Sequence, residues 1–184
     1  MTEYGPKKKL RDQHELMTAA QQAAIIAREN HQRAALLGGL AMQLYGSPRL
    51  TSDIDIVTAR ELEGLVPEGL LTFGGYKSTT PNGVPIDVII RDDDFRPLYE
   101  AALNHAGRLR GIPILVVRPE YLAAIKLASA RPKDEADLDF LIVDGPFDMD
   151  KTLKIVRKYM GVYAVQEFKA HVEIAHWKRS TGKI

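Results

Sequence analysis

The chain has 184 residues, 45% of them hydrophobic, which is enough to bury one core as a single compact domain with or without an appendage. It contains no cysteine, which excludes disulfide bonds, thiol catalysis and thiolate zinc sites. The formal net charge of +1 is unevenly distributed: residues 1–149 contain 17 basic and 21 acidic side chains, whereas residues 150–184 contain 8 basic and 3 acidic ones.

Apolar runs in this sequence are short. None reaches the length of a membrane-spanning helix, and the first residues lack the apolar stretch of a secretion signal. We therefore expect a cytoplasmic protein with no membrane partner.

Hydrophobic periodicity and turn residues predict alternating helices and strands along the chain. The predicted helices cover residues 11–29, 40–45, a segment after Pro97, 119–130, 132–142, 148–159 and 162–178. The predicted strands cover residues 33–37, 49–57, 84–90 and 112–117, and residues 73–76 and 81–83 are predicted loops. This order predicts an α/β (α+β) fold with a helical end, comprising a domain over residues 1–149 that includes the N-terminal helix and a basic helical C-terminal extension over residues 150–184.

Polar residues alternate along the predicted strand 49–57. Arg49, Thr51, Asp53 and Asp55 occur at every second position, so an extended chain would project all four to one face. A further carboxylate, Asp87, interrupts an apolar run that is typical of a strand interior. If the two strands are neighbours, three carboxylates converge, and a divalent cation is what makes their mutual repulsion tolerable. Oxygen ligands favour Mg²⁺, which shares its shell with substrate phosphates and water.

A pair of glycines precedes this acidic segment. Gly38 and Gly39 lie between the predicted strand 33–37 and the helix that follows it. A strand, a glycine turn and a helix start leave backbone N–H groups exposed where a phosphate could rest. Together with the carboxylates, the glycines indicate a magnesium-dependent nucleotide site.

Four segments resemble the nucleotidyltransferase superfamily that includes DNA polymerase beta. They are residues 36–41, 49–56 and 86–88, together with residues 125–138, which resemble the lysine-bearing helix and Asp-x-x-Asp pattern of minimal bacterial members. Abortive-infection and toxin-antitoxin nucleotidyltransferases are the most similar groups. Many members have Gly-Ser in place of the Gly-Gly pair here, so a serine contact to phosphate is absent.

The resemblance implies the nucleotidyltransferase fold, which is a mixed sheet flanked by helices. It also implies a reaction in which a nucleoside monophosphate passes from a nucleoside triphosphate to an acceptor hydroxyl, releasing pyrophosphate. It implies that Asp53, Asp55 and Asp87 are catalytic and bind two Mg²⁺ ions. It also implies that Gly38, Gly39, Arg49, Thr51 and Lys126 bind the nucleotide, with Lys126 along the β and γ phosphates. The acceptor implied is a tRNA or other RNA end, a protein or a small molecule, and the short chain predicts that a second subunit or a partner protein completes the acceptor site.

Structural roles compete with these functional ones. Asp53 and Asp55 also suit turn or helix-capping positions, and Lys126 suits an ion pair with Asp134 or Asp137 as well as a phosphate contact. A non-catalytic, antitoxin-like module that binds a partner protein is the alternative function.

Overall fold

The computed structural model describes residues 11–183, in which seven helices surround one six-stranded sheet. The helices are α1 (Gln13–Glu29), α2 (Gly38–Leu44), α3 (Arg96–Asn104), α4 (Pro119–Ser129), α5 (Pro132–Val143), α6 (Met149–Met160) and α7 (Val162–Ser180). The strands are β1 (Ala34–Leu37), β2 (Ile54–Thr58), β3 (Gly69–Leu70), β4 (Gly75–Thr79), β5 (Pro85–Ile89) and β6 (Leu115–Val116). The N-terminal residues of the predicted 1–149 domain lie outside the described residues.

The sheet is mixed, as the sequence predicts, with strand order β3-β4-β5-β2-β1-β6. Strand β2 is central: it pairs with β1 in antiparallel and with β5 in parallel orientation. Its parallel neighbour β5 is also paired with β4, so the two strands that carry the predicted carboxylates lie side by side in the middle of the sheet. The α/β fold class is therefore confirmed.

Apolar side chains from the whole described chain form one core. All four residues of β1 are buried, and the α1 face that contains Leu16 and Ala23 is fully buried. The C-terminal helices contribute Val156 and Phe168 to the same core, each with no exposed surface. No helix within residues 11–183 is long and apolar enough to cross a membrane.

The strand predicted over residues 49–57 begins only at Ile54, so that part of the prediction is wrong. The hydroxyl of Thr51 lies 3.2 Å from the backbone oxygen of Asp53 and 3.0 Å from its Oδ1. Such local side-chain hydrogen bonds compete with a strand ladder, and they curl this segment into a loop. Arg49 and Thr51 therefore approach the site from a loop.

The predicted loop at residues 73–76 is partly wrong, because Gly75 and Tyr76 begin strand β4. Gly74 and Gly75 have φ angles of +99° and +96°, a backbone conformation that residues with a side chain rarely adopt. A Cβ on Gly75 would lie 2.0 Å from the carbonyl oxygen of Val88, so glycine is what allows β4 to approach β5. The second glycine of the pair that indicated a loop therefore starts a strand, and β3 pairs with that strand at the edge of the sheet.

Candidate active site

Two of the predicted carboxylates lie directly opposite each other at the centre of the sheet. Asp55 in β2 is in register with Asp87 in the parallel strand β5, and with Leu37 in β1 on its other side. Asp53 lies one residue before β2 begins. The strand pairing thus brings together the carboxylates that the sequence placed on separate segments.

The glycine corner, Gly38 and Gly39, lies against this acidic pair. Gly38 has a φ of +66°, and a Cβ placed on it would lie 1.9 Å from Oδ2 of Asp55. A Cβ on Gly39 would lie 2.7 Å from Oγ1 of Thr51 and 3.0 Å from Nη1 of Arg49. Only glycine allows the backbone this close to the carboxylate, the hydroxyl and the guanidinium.

The environment of Asp55 disfavours its ionised form. Burial, then the neighbouring charges of Asp53 and Asp87, raise the pKa of Asp55 from 3.8 to about 6, and the positive charges of Lys126 and Lys133 oppose this only in part. Like charges around a buried carboxylate raise its pKa in this way unless a cation compensates them. The cluster is therefore electrostatically suited to a cation.

The carboxylates supply oxygen ligands, which is the donor chemistry that Mg²⁺ prefers. Within residues 11–183, however, no group of three or more carboxylate or imidazole side chains is arranged at metal-binding distance. The residues fit the ion in chemistry and charge.

One cavity of about 630 Å³ brings together most of the residues predicted to form the site. Seven of the eight line it: Gly38, Gly39, Arg49, Asp53, Asp55, Asp87 and Lys126. The eighth, Thr51, is 5% exposed, does not line the cavity, and hydrogen bonds to Asp53. Its hydroxyl lies against Asp53, and nucleotide binding by Thr51 stays a prediction.

Lys126 is buried in an ion-pair cluster. Its Nζ lies 2.8 Å from Oδ1 of Asp134 and 2.6 Å from Oδ2 of Asp137, and all three side chains are at most 6% exposed. Asp134 also accepts a hydrogen bond from Arg131, and these cationic partners hold the pKa of Asp134 below its usual value against the opposing effect of burial. The ion-pair alternative for Lys126 is thus present in the structure, while the side chain still lines the cavity.

Several lining residues were missed by the sequence reasoning. Lys77 is in register with Asp87, but its strand β4 had not been predicted. Arg91 is packed against the rings of Phe73, Phe95 and Tyr99, with its guanidinium carbon 4.8–5.5 Å from their centroids. The sequence signal that could have identified Arg91 was its position directly after the apolar run 84–90. Nothing in the spacing indicated that three aromatic residues would surround it.

The fold and the site define an α/β protein with a mixed sheet and an acidic cleft that faces a glycine corner. Comparison with solved structures identifies this architecture as the nucleotidyltransferase fold, as the sequence resemblance implied. An antigenic nucleotidyltransferase-like protein from Paracoccidioides brasiliensis is 20% identical, with a TM-score of 0.50 over 90% of this chain and 95% of that one. JHP933 from Helicobacter pylori is 14% identical, with a TM-score of 0.50 over 94% of this chain and 96% of that one. No protein-family model and no curated protein sequence matches this chain.

Proposed function

We propose that this protein is a magnesium-dependent nucleotidyltransferase that transfers a nucleoside monophosphate from a nucleoside triphosphate to an acceptor hydroxyl and releases pyrophosphate. The acceptor is an RNA end such as tRNA, a protein or a small molecule. The observation that carries the proposal is the register of Asp55 with Asp87 on adjacent parallel strands, directly against Gly38. This arrangement places carboxylates beside a stretch of backbone that has no side chain in the way.

Asp53, Asp55 and Asp87 would bind the two magnesium ions. When bound, the ions neutralise phosphate charge and stabilise the attacking and leaving oxygens. Asp87 would accept the proton of the acceptor hydroxyl. The glycine corner would allow the triphosphate to approach the backbone, and Arg49 and Lys126, which line the same cavity, would bind its charged oxygens.

The first test uses nucleoside triphosphates labelled at the α or the γ phosphorus, offered with Mg²⁺ to total RNA, total protein and small hydroxylated metabolites. We expect the α label to appear on one acceptor class and the γ label only in released pyrophosphate. Covalent transfer of the γ label would instead identify a kinase and contradict the proposal. Asp53→Ala should abolish the transfer of the α label. Asp94→Asn is its matched control, because Asp94 is an exposed loop carboxylate that does not line the cavity, and this variant should keep full activity.

The second test concerns Thr51, whose hydroxyl lies 3.0 Å from Oδ1 of Asp53. Thr51→Val keeps the shape of the buried side chain and removes that hydroxyl. The loss of one hydrogen bond should destabilise the fold by about 1 kcal/mol. Because Thr51 orients a carboxylate, we expect kcat to fall about fivefold, the kinetic equivalent of that loss, with little change in KM for the triphosphate. A raised KM at unchanged kcat would instead support direct nucleotide contact.

The second candidate function is a non-catalytic, antitoxin-like module that binds a partner protein. It is favoured by exposed apolar side chains on α7, where Tyr163 is 93% and Trp177 is 53% exposed. Absence of label transfer to every acceptor class, together with tight binding of one protein, would decide for this candidate. Label transfer that is lost in Asp53→Ala decides for the enzyme.

A further inference from the structure

A single buried carboxylate joins two cations that come from different parts of the fold. Oδ2 of Asp137, in α5, lies 2.6 Å from Nζ of Lys126 in α4 and 3.2 Å from Nη1 of Arg49 in the loop before β2. Asp137 is 2% exposed. The same carboxylate therefore connects the helical side of the cavity with the loop that carries Arg49.

Both cations face the cavity, whereas Asp137 lies behind them. Arg49 and Lys126 line the cavity and Asp137 does not. The guanidinium of Arg49 lies at the glycine corner, since a Cβ on Gly39 would be 3.0 Å from its Nη1. Its side chain is 29% exposed, so it is accessible to a ligand while the carboxylate that holds it is not.

We propose that Asp137 is a positioning residue that fixes Arg49 and Lys126 for the phosphates of a nucleotide. The inference rests on the proposed function in taking a triphosphate as the ligand. Long basic side chains lose conformational freedom when they bind an anion, and this loss opposes binding. Asp137 already restrains both side chains in the free protein, so less freedom remains to be lost when the phosphates arrive.

The sign of one substitution separates positioning from charge. Asp137→Asn removes a negative charge next to the cavity, and by Coulomb's law alone the more positive cavity would bind phosphate more tightly. If positioning dominates, the freed Arg49, together with Lys126 now held by Asp134 alone, binds phosphate more weakly in spite of the added positive charge. The two explanations therefore predict opposite changes in affinity.

The experiment measures binding of inorganic tripolyphosphate with Mg²⁺ to the full chain by calorimetry. We expect Asp137→Asn to weaken binding about tenfold, which corresponds to about 1.4 kcal/mol. Asp139→Asn is the matched control, because Asp139 is on the same helix and is 3% exposed. It lies 2.5 Å from the ammonium of Lys178, and Lys178, unlike Arg49 and Lys126, does not line the cavity. Its variant should bind tripolyphosphate within about twofold of wild type. Unchanged or tighter binding by Asp137→Asn would overturn the inference.

Asp137→Glu keeps the test decisive if Asp137→Asn folds poorly, because it retains the negative charge and changes only where the carboxylate lies. Positioning predicts weaker binding of tripolyphosphate by this variant, and unchanged binding would contradict the inference. A double-variant cycle adds a second measurement. Arg49→Gln breaks the same bridge from its more exposed end and leaves Asp137 paired with Lys126. In the double variant we expect the two losses of affinity to be less than additive, because both act through one bridge. Full additivity would contradict the inference.

The two proposals can fail separately. If wild type binds tripolyphosphate and Asp137→Asn binds it more weakly, but no acceptor receives label, the enzymatic function is wrong and the positioning role stands. If label transfer occurs and Asp137→Asn does not weaken binding, only the positioning role is wrong. If wild type does not bind tripolyphosphate, the positioning role is wrong whether or not label transfer occurs.

Discussion

Asp55→Asn should abolish nucleotidyl transfer and stabilise the protein at neutral pH. Loss of activity follows from the proposed role of Asp55 as a metal ligand, and we expect a decrease on the order of 10³-fold, similar to other losses of transition-state charge stabilisation. The gain in stability follows from electrostatics. Burial and two neighbouring carboxylates raise the pKa of Asp55 to about 6, so its ionised form is disfavoured in the folded protein.

The pH dependence of this gain has a definite sign. A carboxylate whose pKa is raised from 3.8 to about 6 by folding binds protons more tightly in the folded state, so its contribution favours folding below pH 4 and is lost as the pH rises through 6. Such a shift corresponds to at most about 3 kcal/mol above pH 7. Asn does not ionise, so the variant should be about 1–3 kcal/mol more stable than wild type at pH 7.5, with the difference nearly gone at pH 4.

Chemical denaturation at pH 4 and pH 7.5 measures this difference in the free energy of unfolding. Asp139→Asn is again the control, since Asp139 is also buried but lies 2.5 Å from the ammonium of Lys178. Neutralising it leaves a cation without its partner and should destabilise the protein. If both variants are destabilised at pH 7.5, Asp55 does not experience the repulsion inferred here.

Mg²⁺ provides an independent measurement on the same variant. A cation among the carboxylates offsets their repulsion, so the ion should raise the melting temperature of wild type. Asp55→Asn lacks one of the proposed ligands and should respond much less. An equal response in both proteins would exclude Asp55 from the metal site.

The sequence predicted the central part of this site because strand alternation and apolar runs are local signals. Ile54 and Ile56 are fully buried on either side of Asp55, as period-two alternation requires, and the second apolar run forms β5 beside β2. The pairing of these strands could only be assumed from the sequence. The observed register of Asp55 with Asp87 shows that the strands are neighbours.

The remaining lining residues depend on long-range contacts that leave no periodic signal. Arg49 meets Asp137 across 88 positions of sequence, and the same carboxylate binds Lys126. Strand β4 was hidden because its first residue is glycine, which usually indicates a loop. Here that glycine permits close backbone approach, so Lys77 reaches the cavity from a strand that composition did not reveal.

Gly38→Ala should damage both the fold and the activity, because two separate penalties meet at this position. Its φ of +66° lies in the left-handed region, where an L side chain costs about 1–2 kcal/mol. A Cβ there would also lie 1.9 Å from Oδ2 and 2.6 Å from Cγ of Asp55, so the carboxylate must move. A misplacement of about 1 Å in a reacting site costs about 10²-fold in rate, and we expect a loss of at least about that size.

Gly111→Ala separates the two penalties. Gly111 has a φ of +77°, and a Cβ there would have no neighbour within 4 Å, so its variant should show only the backbone penalty and full activity. Gly38→Ala should be less stable than Gly111→Ala by a further 1–3 kcal/mol or so, the usual cost of forcing an extra methyl into a packed site. Urea denaturation and the label-transfer assay measure the two effects.

The double variant Gly38→Ala with Asp55→Ala tests whether the clash is with the Asp55 carboxylate itself. Truncating Asp55 removes the two atoms nearest to the new methyl group and leaves only Cβ of residue 55, 3.0 Å away. Measured against Asp55→Ala alone, which accounts for the stability gained by removing the Asp55 charge, most of the extra destabilisation should disappear. The activity stays lost, because the carboxylate is gone. If Gly38→Ala destabilises Asp55→Ala as much as it destabilises wild type, Gly38 is required for its backbone conformation alone, and its closeness to Asp55 has no part in building the site.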